Sequence, residues 1–295
     1  MTTTASFKSS SVALPIALLV VAMASFQIGA VVAKQLFPIV GATGAVALRL
    51  GFSSLILLAV RRPWRVRLRW REARMLIIFG LAMGFMNFFF YLSLARIPLG
   101  VSVALEFTGP LAVAMATSRR PIDFVWIALA VFGLITLSPL GFEAKALDPA
   151  GVAYALGAGV CWAIYIVSGQ RAGNVHGGQA VAIGTVIGSL VIVPIGIVDS
   201  GAALLSPGIM PAAIAVAVLS TALPYSLEMY ALTRLPTRTF GVLMSGDPAL
   251  GALSGLVFLG ERLSFVQWAA IASIVAASAG SAYSSRGTAP TRLPD

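Results

Sequence analysis

The pentapeptide Leu94-Ala-Arg96-Ile-Pro98 returns in the second half of the chain as Leu232-Thr-Arg234-Leu-Pro236. At the same spacing, Gly109-Pro110-Leu-Ala matches Asp247-Pro248-Ala-Leu, and Phe124-Val125 matches Phe265-Val266 after a three-residue gap. Matches that keep their order along a chain are typical of an internal repeat. The sequence therefore predicts two similar halves, residues 1–145 and residues 146–295.

The composition places this repeat in a membrane. Of the 295 residues, 59% are hydrophobic and only 10% are charged, whereas soluble domains carry about 45–50% apolar residues. A helix needs about 20 apolar residues to cross a bilayer. Apolar runs bounded by charges, prolines and glycines therefore predict an all-α integral membrane protein with ten transmembrane helices, near residues 13–33, 41–60, 75–94, 99–117, 124–141, 150–168, 179–197, 209–232, 239–258 and 264–284.

Basic residues lie almost entirely on one side of these helices. With the N-terminus in the cytoplasm, the inside segments contain Lys8 and the arginines at 61, 62, 65, 67, 69, 71, 74, 119, 120, 171, 234, 238, 286 and 292. The outside segments contain only Lys34, Arg96, Lys145 and Arg262. Lysine and arginine in short loops set membrane orientation, so the net charge of +10 indicates topology rather than nucleic-acid binding. Both termini are expected in the cytoplasm.

Five helices in each half turn the second half upside down relative to the first. Arg96 then lies outside and its counterpart Arg234 inside. Inverted-topology repeats are the plan of many secondary transporters, because exchanging the shapes of the halves gives two nearly equal conformations. The repeat therefore favours transport over catalysis.

Residues for metal or redox chemistry are scarce. Cys161 is the single cysteine and lies in an apolar run, and His176 is the single histidine and lies in a predicted loop. Neither belongs to a cluster with metal-ligand spacing, and a membrane enzyme would need such a constellation near one membrane face. The sequence predicts no metal, no cofactor and no enzymatic activity.

Four charged residues fall inside predicted helices: Arg49, Glu106, Glu228 and Asp247. Charges inside a membrane are costly, so they pair, line a cavity or serve function. Arg49 and Glu106 lie at a similar depth, which is compatible with a structural ion pair. Alternatively, Glu106 binds a proton or a substrate ammonium while Arg49 binds a carboxylate, an arrangement that a zwitterionic amino acid would satisfy. Both interpretations remain open at this point.

Each half predicts a broken helix beside a carboxylate. Glu106 is followed by Gly109-Pro110 and Asp247 by Pro248, and proline removes a helical hydrogen bond. Such matched interruptions point to a transporter binding site, although a packing kink without a ligand is the simpler alternative. Ser102 lies one turn before Glu106 on the same face, and Asn87 and Tyr91 lie one turn apart within the third helix. The candidate substrate- or proton-binding residues are Glu106, Arg49, Ser102, Asn87, Tyr91, Asp247 and Glu228, with Gln27, Trp162, Tyr165 and Tyr225 as further lining candidates.

Longer runs resemble a known family: Leu105-Glu-Phe-Thr-Gly-Pro-Leu-Ala-Val113, Cys161-Trp-Ala-Ile-Tyr165, Ser168-Gly-Gln-Arg-Ala-Gly173, Ser220-Thr-Ala-Leu-Pro-Tyr-Ser-Leu-Glu228 and Thr233-Arg-Leu-Pro-Thr-Arg-Thr-Phe-Gly241. They are similar to inner-membrane exporters of threonine and homoserine in the EamA branch of the drug/metabolite transporter superfamily. The resemblance covers about Leu14 to Tyr283. It implies two inverted five-helix repeats in a bacterial inner membrane and proton-driven efflux of small amino acids. Asp247-Pro248 departs from the Glu-Pro of this family.

The expected activity is therefore secondary active export of threonine or homoserine by proton antiport, with Glu106 exchanging a proton for the substrate ammonium. The alternative is export of drugs or lipophilic cations, which some distant relatives carry, and a buried Arg49 counts against it. The expected partners are the amino acid, protons and the lipid bilayer, without nucleic acid. The sequence gives no prediction of the oligomeric state.

Overall fold

The computed structural model describes residues 10–65, 69–116, 121–137, 147–176, 178–232, 234–235 and 237–284. These residues form α-helices joined by short turns, and no strand occurs among them. The helices, numbered in chain order, are α1 (Ser10–Arg61), α2 (Trp70–Leu94), α3 (Leu99–Glu106), α4 (Thr108–Ala116), α5 (Pro121–Leu137), α6 (Pro149–His176), α7 (Gly178–Ser200), α8 (Met210–Ala217), α9 (Leu223–Leu232), α10 (Thr237–Met244), α11 (Asp247–Leu259) and α12 (Phe265–Ser284).

Helix α1 is interrupted at Gly41. This residue has φ 68° and ψ 174°, a conformation that glycine adopts without the steric cost of a Cβ. The sequence predicted two helices, 13–33 and 41–60, with a loop between them. The structure instead continues the first helix to the residue before Gly41, because residues 34–40 are mostly apolar and the kink needs only this one glycine.

The helix interruptions expected beside Glu106 and Asp247 are present. α3 ends at Glu106 and α4 begins at Thr108, while α10 ends at Met244 and α11 begins at Asp247. α3 and α10 are each 8 residues long and begin at positions that align in the sequence repeat. Both halves therefore place a carboxylate at the corresponding interruption of a membrane helix.

Beside the interruption at Glu106, the backbones of α4 and α6 are in direct contact. A Cβ on Gly109 would lie 1.9 Å from the carbonyl oxygen of Gly159 on α6, and a Cβ on Gly159 would lie 2.8 Å from the carbonyl oxygen of Glu106. Trp162, one turn further along α6, packs edge-on against Phe107 at 5.4 Å between ring centroids. The α4–α6 contact thus requires glycine on both helices.

Small residues also bring α2 and α7 together. A Cβ on Gly84 would lie 2.8 Å from the Cα of Gly188, and one on Gly80 would lie 2.8 Å from the carbonyl oxygen of Gly184. Close approach at paired glycines is usual where membrane helices pack, because apolar lipid gives little hydrophobic drive for association.

Six helical stretches of the described chain are long and apolar enough to cross a membrane. They are Ala13–Arg61, Trp70–Leu94, Pro149–Gly169, Gly178–Leu205, Pro207–Glu228 and Val242–Leu259. Three shorter apolar helices, Leu99–Val113, Phe124–Thr136 and Phe265–Ser281, accompany them. A continuous helix of 49 residues, the length of the first stretch, would measure about 74 Å, more than twice the roughly 30 Å hydrocarbon core.

Polar contacts join several helix ends at one end of the molecule, called here the Lys34 end. The Lys34 ammonium lies 2.5 Å from Glu261 Oε1, and the other oxygen of Glu261 accepts a 2.8 Å hydrogen bond from the backbone N–H of Leu99 at the start of α3. Glu261 therefore links the first half of the chain to the second.

Two further contacts belong to the same end. Ser200 donates a 2.6 Å hydrogen bond to the Val40 carbonyl beside the α1 interruption. Arg96 lies 2.9 Å from Asp148, and this guanidinium lowers the pKa of the Asp148 carboxyl. Three of the basic residues predicted on this side are described: Lys34 and Arg96 each meet a carboxylate, and Arg262 is exposed.

The opposite end, called here the Arg61 end, carries exposed arginines. Arg61, Arg62, Arg69, Arg71 and Arg74 occupy the end of α1 and the start of α2 and are all exposed. Among the remaining predicted basic positions, those outside the described residues are Lys8, Arg67, Arg119, Arg120, Lys145, Arg286 and Arg292. The boundary between residues 145 and 146 also lies outside them.

The Gly109–Gly159 contact predicts a strong effect of a single methyl group. We expect Gly109→Ala to lower the free energy of unfolding by about 1–3 kcal/mol, the usual cost of overpacking, because the clashing atom is backbone. Thermal unfolding of the detergent-purified protein measures this. Gly208→Ala is the matched control, since a Cβ there meets nothing within 4 Å; equal melting temperatures for the two variants would contradict the contact.

Candidate functional site

Arg49 lies on the second part of α1 and is buried, with 1% of the residue exposed. Its Nε donates a 3.1 Å hydrogen bond to Thr221 Oγ1, and its Nη2 donates a 2.8 Å bond to the Ser220 carbonyl oxygen. Both acceptors are neutral. The guanidinium is therefore bound by dipoles, and its positive charge is not cancelled by a paired carboxylate.

The local sequence explains why these acceptors are available. Residues Val218–Ala222 form a π-helical turn between α8 and α9, and Pro224 has no N–H to close an α-helical bond to the Ser220 carbonyl. Neighbouring carbonyls of this turn are also bonded by side chains of α1. Ser25 donates to Leu219 at 2.8 Å, and Ser53 lies 3.2 Å from the Ala217 carbonyl.

Two aromatic rings face the Arg49 guanidinium. Its Cζ lies 5.1 Å from the centroid of Phe26 and 5.4 Å from that of Tyr91, within the range of cation–π attraction. Tyr91 is fully buried, and its hydroxyl has no hydrogen-bond partner. The predicted lining residue Tyr91 thus contacts Arg49 and retains a free hydroxyl.

Glu106 is the last residue of α3 and is 6% exposed. Among the described residues its carboxylate makes no hydrogen bond and no ion pair. Asp247 and Arg49 are the charged groups within electrostatic range of it. The two residues that the sequence placed at one depth are therefore close, but the structural ion pair between them is not formed.

Asp247 begins α11 and is also 6% exposed. Its Oδ1 accepts a 3.0 Å hydrogen bond from Gln27 Nε2 on α1, and its position in the first helical turn suits a negative charge. The Gln27 carbonyl oxygen is buried without a partner. This pair joins the first helix of the chain to the broken helix of the second half and leaves one acceptor free.

Glu228 is half-buried on α9, nearer the Arg61 end. Tyr165 of α6 and Tyr225 of α9 lie within its electrostatic range. The Tyr225 hydroxyl comes close to Asn87 but lacks hydrogen-bond geometry. Asn87 itself donates a 2.7 Å bond to the Met83 carbonyl of its own helix.

Ser102 differs from the other candidates. It is fully buried, and its hydroxyl lies 3.0 Å from that of Ser93. The structure therefore directs Ser102 to the contact between α2 and α3. Arg49, Tyr91, Glu106 and Asp247 come together as a buried cluster, while Glu228 and Asn87 lie on its side toward the Arg61 end.

The sequence did not single out Phe26, Ser220 and Thr221, which hold Arg49. Pro224 is the signal that could have found them, because a proline inside an apolar helix frees the carbonyl four residues earlier. No group of three or more His, Cys, Asp or Glu that could hold a metal occurs within the described ranges. The charged groups of the cluster are one guanidinium and two carboxylates, those of Arg49, Glu106 and Asp247.

The guanidinium of Arg49 donates hydrogen bonds from two nitrogens in one plane, so replacing it by lysine should destabilise the protein. We expect Arg49→Lys to lower the free energy of unfolding by about 1.5–3 kcal/mol, because one ammonium cannot serve Thr221 and Ser220 in the same geometry. Thermal unfolding in detergent measures this, with the exposed Arg62→Lys as control. A melting temperature of Arg49→Lys equal to that of the control would contradict the assigned bonds.

Comparison with known proteins gives the family. Residues 149–283 match the EamA-like transporter family. The chain is 58% identical over 276 residues to the threonine/homoserine exporter RhtA of Escherichia coli (strain K12), covering 94% of each chain. It is also 58% identical over 268 residues to RhtA of Salmonella typhimurium (strain LT2), covering 91% of each. A protein of known crystal structure with 20% identity shares the fold, with a TM-score of 0.57 over 93% of this chain and 98% of that one. The chain therefore belongs to the EamA-like transporter family of membrane proteins.

Proposed function

We propose that this transporter exports small neutral amino acids of the threonine and homoserine class from the cytoplasm in exchange for protons. The proposal rests on two opposite charges, those of Arg49 and Glu106, which are buried close together but form no ion pair. Arg49 is bonded to neutral groups, and Glu106 makes no hydrogen bond or ion pair among the described residues. The name of the relatives, threonine/homoserine exporter, supports the same substrate class.

The energetics of burial explain why a zwitterion suits this site. An uncompensated charge in low dielectric is strongly destabilising, while paired and hydrogen-bonded charges are tolerated. An α-amino acid brings a carboxylate for the unused donors of Arg49 and an ammonium for Glu106. Binding therefore satisfies both protein charges at once, which neither a simple cation nor a simple anion does.

Free acceptors and donors around the charges add to this fit. The Gln27 carbonyl oxygen and the Tyr91 hydroxyl are buried and unpartnered. Unsatisfied buried polar groups are rare in folded proteins and call for a ligand, a water molecule or strain. In the proposed complex, Gln27 accepts from the ammonium and Tyr91 donates to the carboxylate.

Proton coupling follows from competition for one carboxylate. Glu106 can be neutralised either by a proton or by the substrate ammonium, and the two exclude each other. Protonation from the outside then releases the amino acid, and loss of the proton to the cytoplasm restores the binding site. Such competition makes the exchange an antiport.

We also propose ten membrane crossings in two inverted five-helix repeats. Dividing the long first stretch at Gly41 turns six long apolar stretches into seven segments, and the three shorter helices bring the total to ten. The exposed arginines of the Arg61 end favour a cytoplasmic location for that end. At the Lys34 end, the paired carboxylates of Glu261 and Asp148 reduce the local positive charge.

Export of lipophilic cations is the less favoured alternative. Such a ligand needs aromatic faces around a carboxylate, but the faces of Phe26 and Tyr91 are already turned to the Arg49 guanidinium. That fixed positive charge would also repel a second cation. The geometry therefore fits a zwitterion better than a quaternary ammonium compound.

The proposal predicts the behaviour of Glu106→Gln. We expect this variant to lose at least about 90% of the threonine uptake that a proton gradient drives into everted membrane vesicles, because the amide cannot exchange a proton for an ammonium. Uptake of radiolabelled threonine measures this at matched protein levels. Glu72→Gln, on the exposed first turn of α2, is the control and should transport normally.

Two other outcomes would contradict the proposal. Gradient-driven uptake that survives Glu106→Gln would remove Glu106 from the coupling step. Equal uptake by the native protein with and without a gradient would remove proton antiport altogether.

A further inference from the structure

A narrow cleft lies at the Arg61 end, away from the buried charges. Three helices form it, and its lining residues are Leu57 and Arg61 of α1, Gly178 and Val181 of α7, and Tyr225 and Ser226 of α9. Leu57, Val181 and Ala182 are buried and pack against the Tyr225 ring. The cleft therefore has apolar walls, one guanidinium and two hydroxyl-bearing side chains.

An unpaired positive charge marks the mouth of the cleft. The Arg61 guanidinium lies against the backbone of Gly178, where an added Cβ would be 3.1 Å from Nη1. Arg61 makes no hydrogen bond or ion pair with any residue that the structure describes. Gly178 starts the 23-residue helix α7, whose N-terminal dipole adds to the positive potential. An anionic group of a ligand is the natural partner for this position.

Tyr225 connects the cleft to the buried charges. Its ring lines the cleft, while its hydroxyl is buried, unpartnered and close to Asn87. Arg49 and Glu106 are both within electrostatic range of that hydroxyl. Tyr225 therefore lies between the cleft and the cluster around Arg49.

At the Lys34 end of the molecule, polar contacts hold several elements together. There Lys34, Glu261 and the N-terminus of α3 are tied together by the ion pair and the hydrogen bond to Leu99. This link joins the two halves of the chain. At the Arg61 end, the described residues that line the cleft form no ion pair between the two halves.

We propose that the cleft is the cytoplasmic entrance for the substrate, with Arg61 as the first residue to bind the amino-acid carboxylate and Tyr225 as the gate to Arg49. This inference rests on the proposed amino-acid export. Arg61 acts before the buried site, so it governs capture of the substrate and not the later exchange at Glu106.

The first test is the KM for threonine at the cytoplasmic face, measured in everted vesicles where that face is outside. We expect Arg61→Gln to raise KM roughly two- to fivefold, the effect of one exposed charge pair, with the maximal rate unchanged. Arg62→Gln is the matched control, because it removes the same charge from the adjacent position, which does not line the cleft. An Arg61→Gln KM equal to that of the control overturns the inference.

The second test measures the accessibility of the cleft to a thiol reagent and does not depend on a transport assay. Ser226→Cys in a Cys161→Ser background should react with a membrane-impermeant thiol reagent from the cytoplasmic face, and saturating threonine should slow the reaction. Gly208→Cys, at an exposed position near the Lys34 end, should react only from the opposite face. A Ser226→Cys thiol that is unreactive from the cytoplasm, or unaffected by threonine in a protein that transports it, contradicts the entrance.

The two proposals fail in different ways. If native vesicles do not take up threonine while Ser226→Cys reacts from the cytoplasmic face, the proposed substrate is wrong and the cleft stands. If native uptake is normal while Arg61→Gln behaves as Arg62→Gln does, the entrance is wrong and the export function stands.

Discussion

Burial of the Arg49 guanidinium is the constraint on which the arrangement of this transporter depends. The charge is accommodated because Pro224 leaves the Ser220 carbonyl without its helical partner, and because Thr221, Phe26 and Tyr91 lie around the same group. Charge-assisted hydrogen bonds to neutral groups offset part of the desolvation cost but leave the net charge in place. A helix of the first half is thereby tied to an irregular turn of the second, and the proposed carboxylate-binding site lies between them.

The two interrupted helices place negative charge beside that site. Glu106 ends α3 and Asp247 begins α11, and these two helices pack so closely that a Cβ on Gly100 would lie 2.4 Å from the Cα of Ala252. One carboxylate is held by Gln27, whereas the other has no partner among the described residues. In the proposed cycle the substrate ammonium pairs with the unpartnered Glu106 carboxylate. Release on the outside then requires the ion pair between Lys34 and Glu261 to open.

Local sequence signals predicted much of this structure. Apolar runs gave the helical membrane class, and the Gly109-Pro110 and Asp247-Pro248 pairs gave the two interruptions, because loss of a backbone N–H acts within one turn. Runs such as the one containing Glu106 predicted the family, which the comparisons confirm.

Contacts between helices that are distant along the chain could not be predicted from the sequence. Whether Arg49 pairs with Glu106 depends on side-chain directions set by packing, and the π-helical turn that captures Arg49 has no simple periodic signature. The Gln27–Asp247 bond spans most of the chain, so spacing could not reveal it. For Ser102, helical spacing predicted its position on the same face as Glu106. Its contact with Ser93 could not be predicted, because it depends on how α2 packs against α3.

The most direct test of the central claim is competition between threonine and two of its derivatives for binding to the purified native protein. Threonine amide lacks the carboxylate that Arg49 would bind, and N-acetylthreonine lacks the ammonium that Glu106 would bind. The account predicts that unlabelled threonine displaces radiolabelled threonine while neither derivative does so at a hundredfold higher concentration, since each leaves one buried charge unpaired at a cost of about 3–5 kcal/mol. Displacement by either derivative as effective as that by threonine would show that the site does not recognise a zwitterion.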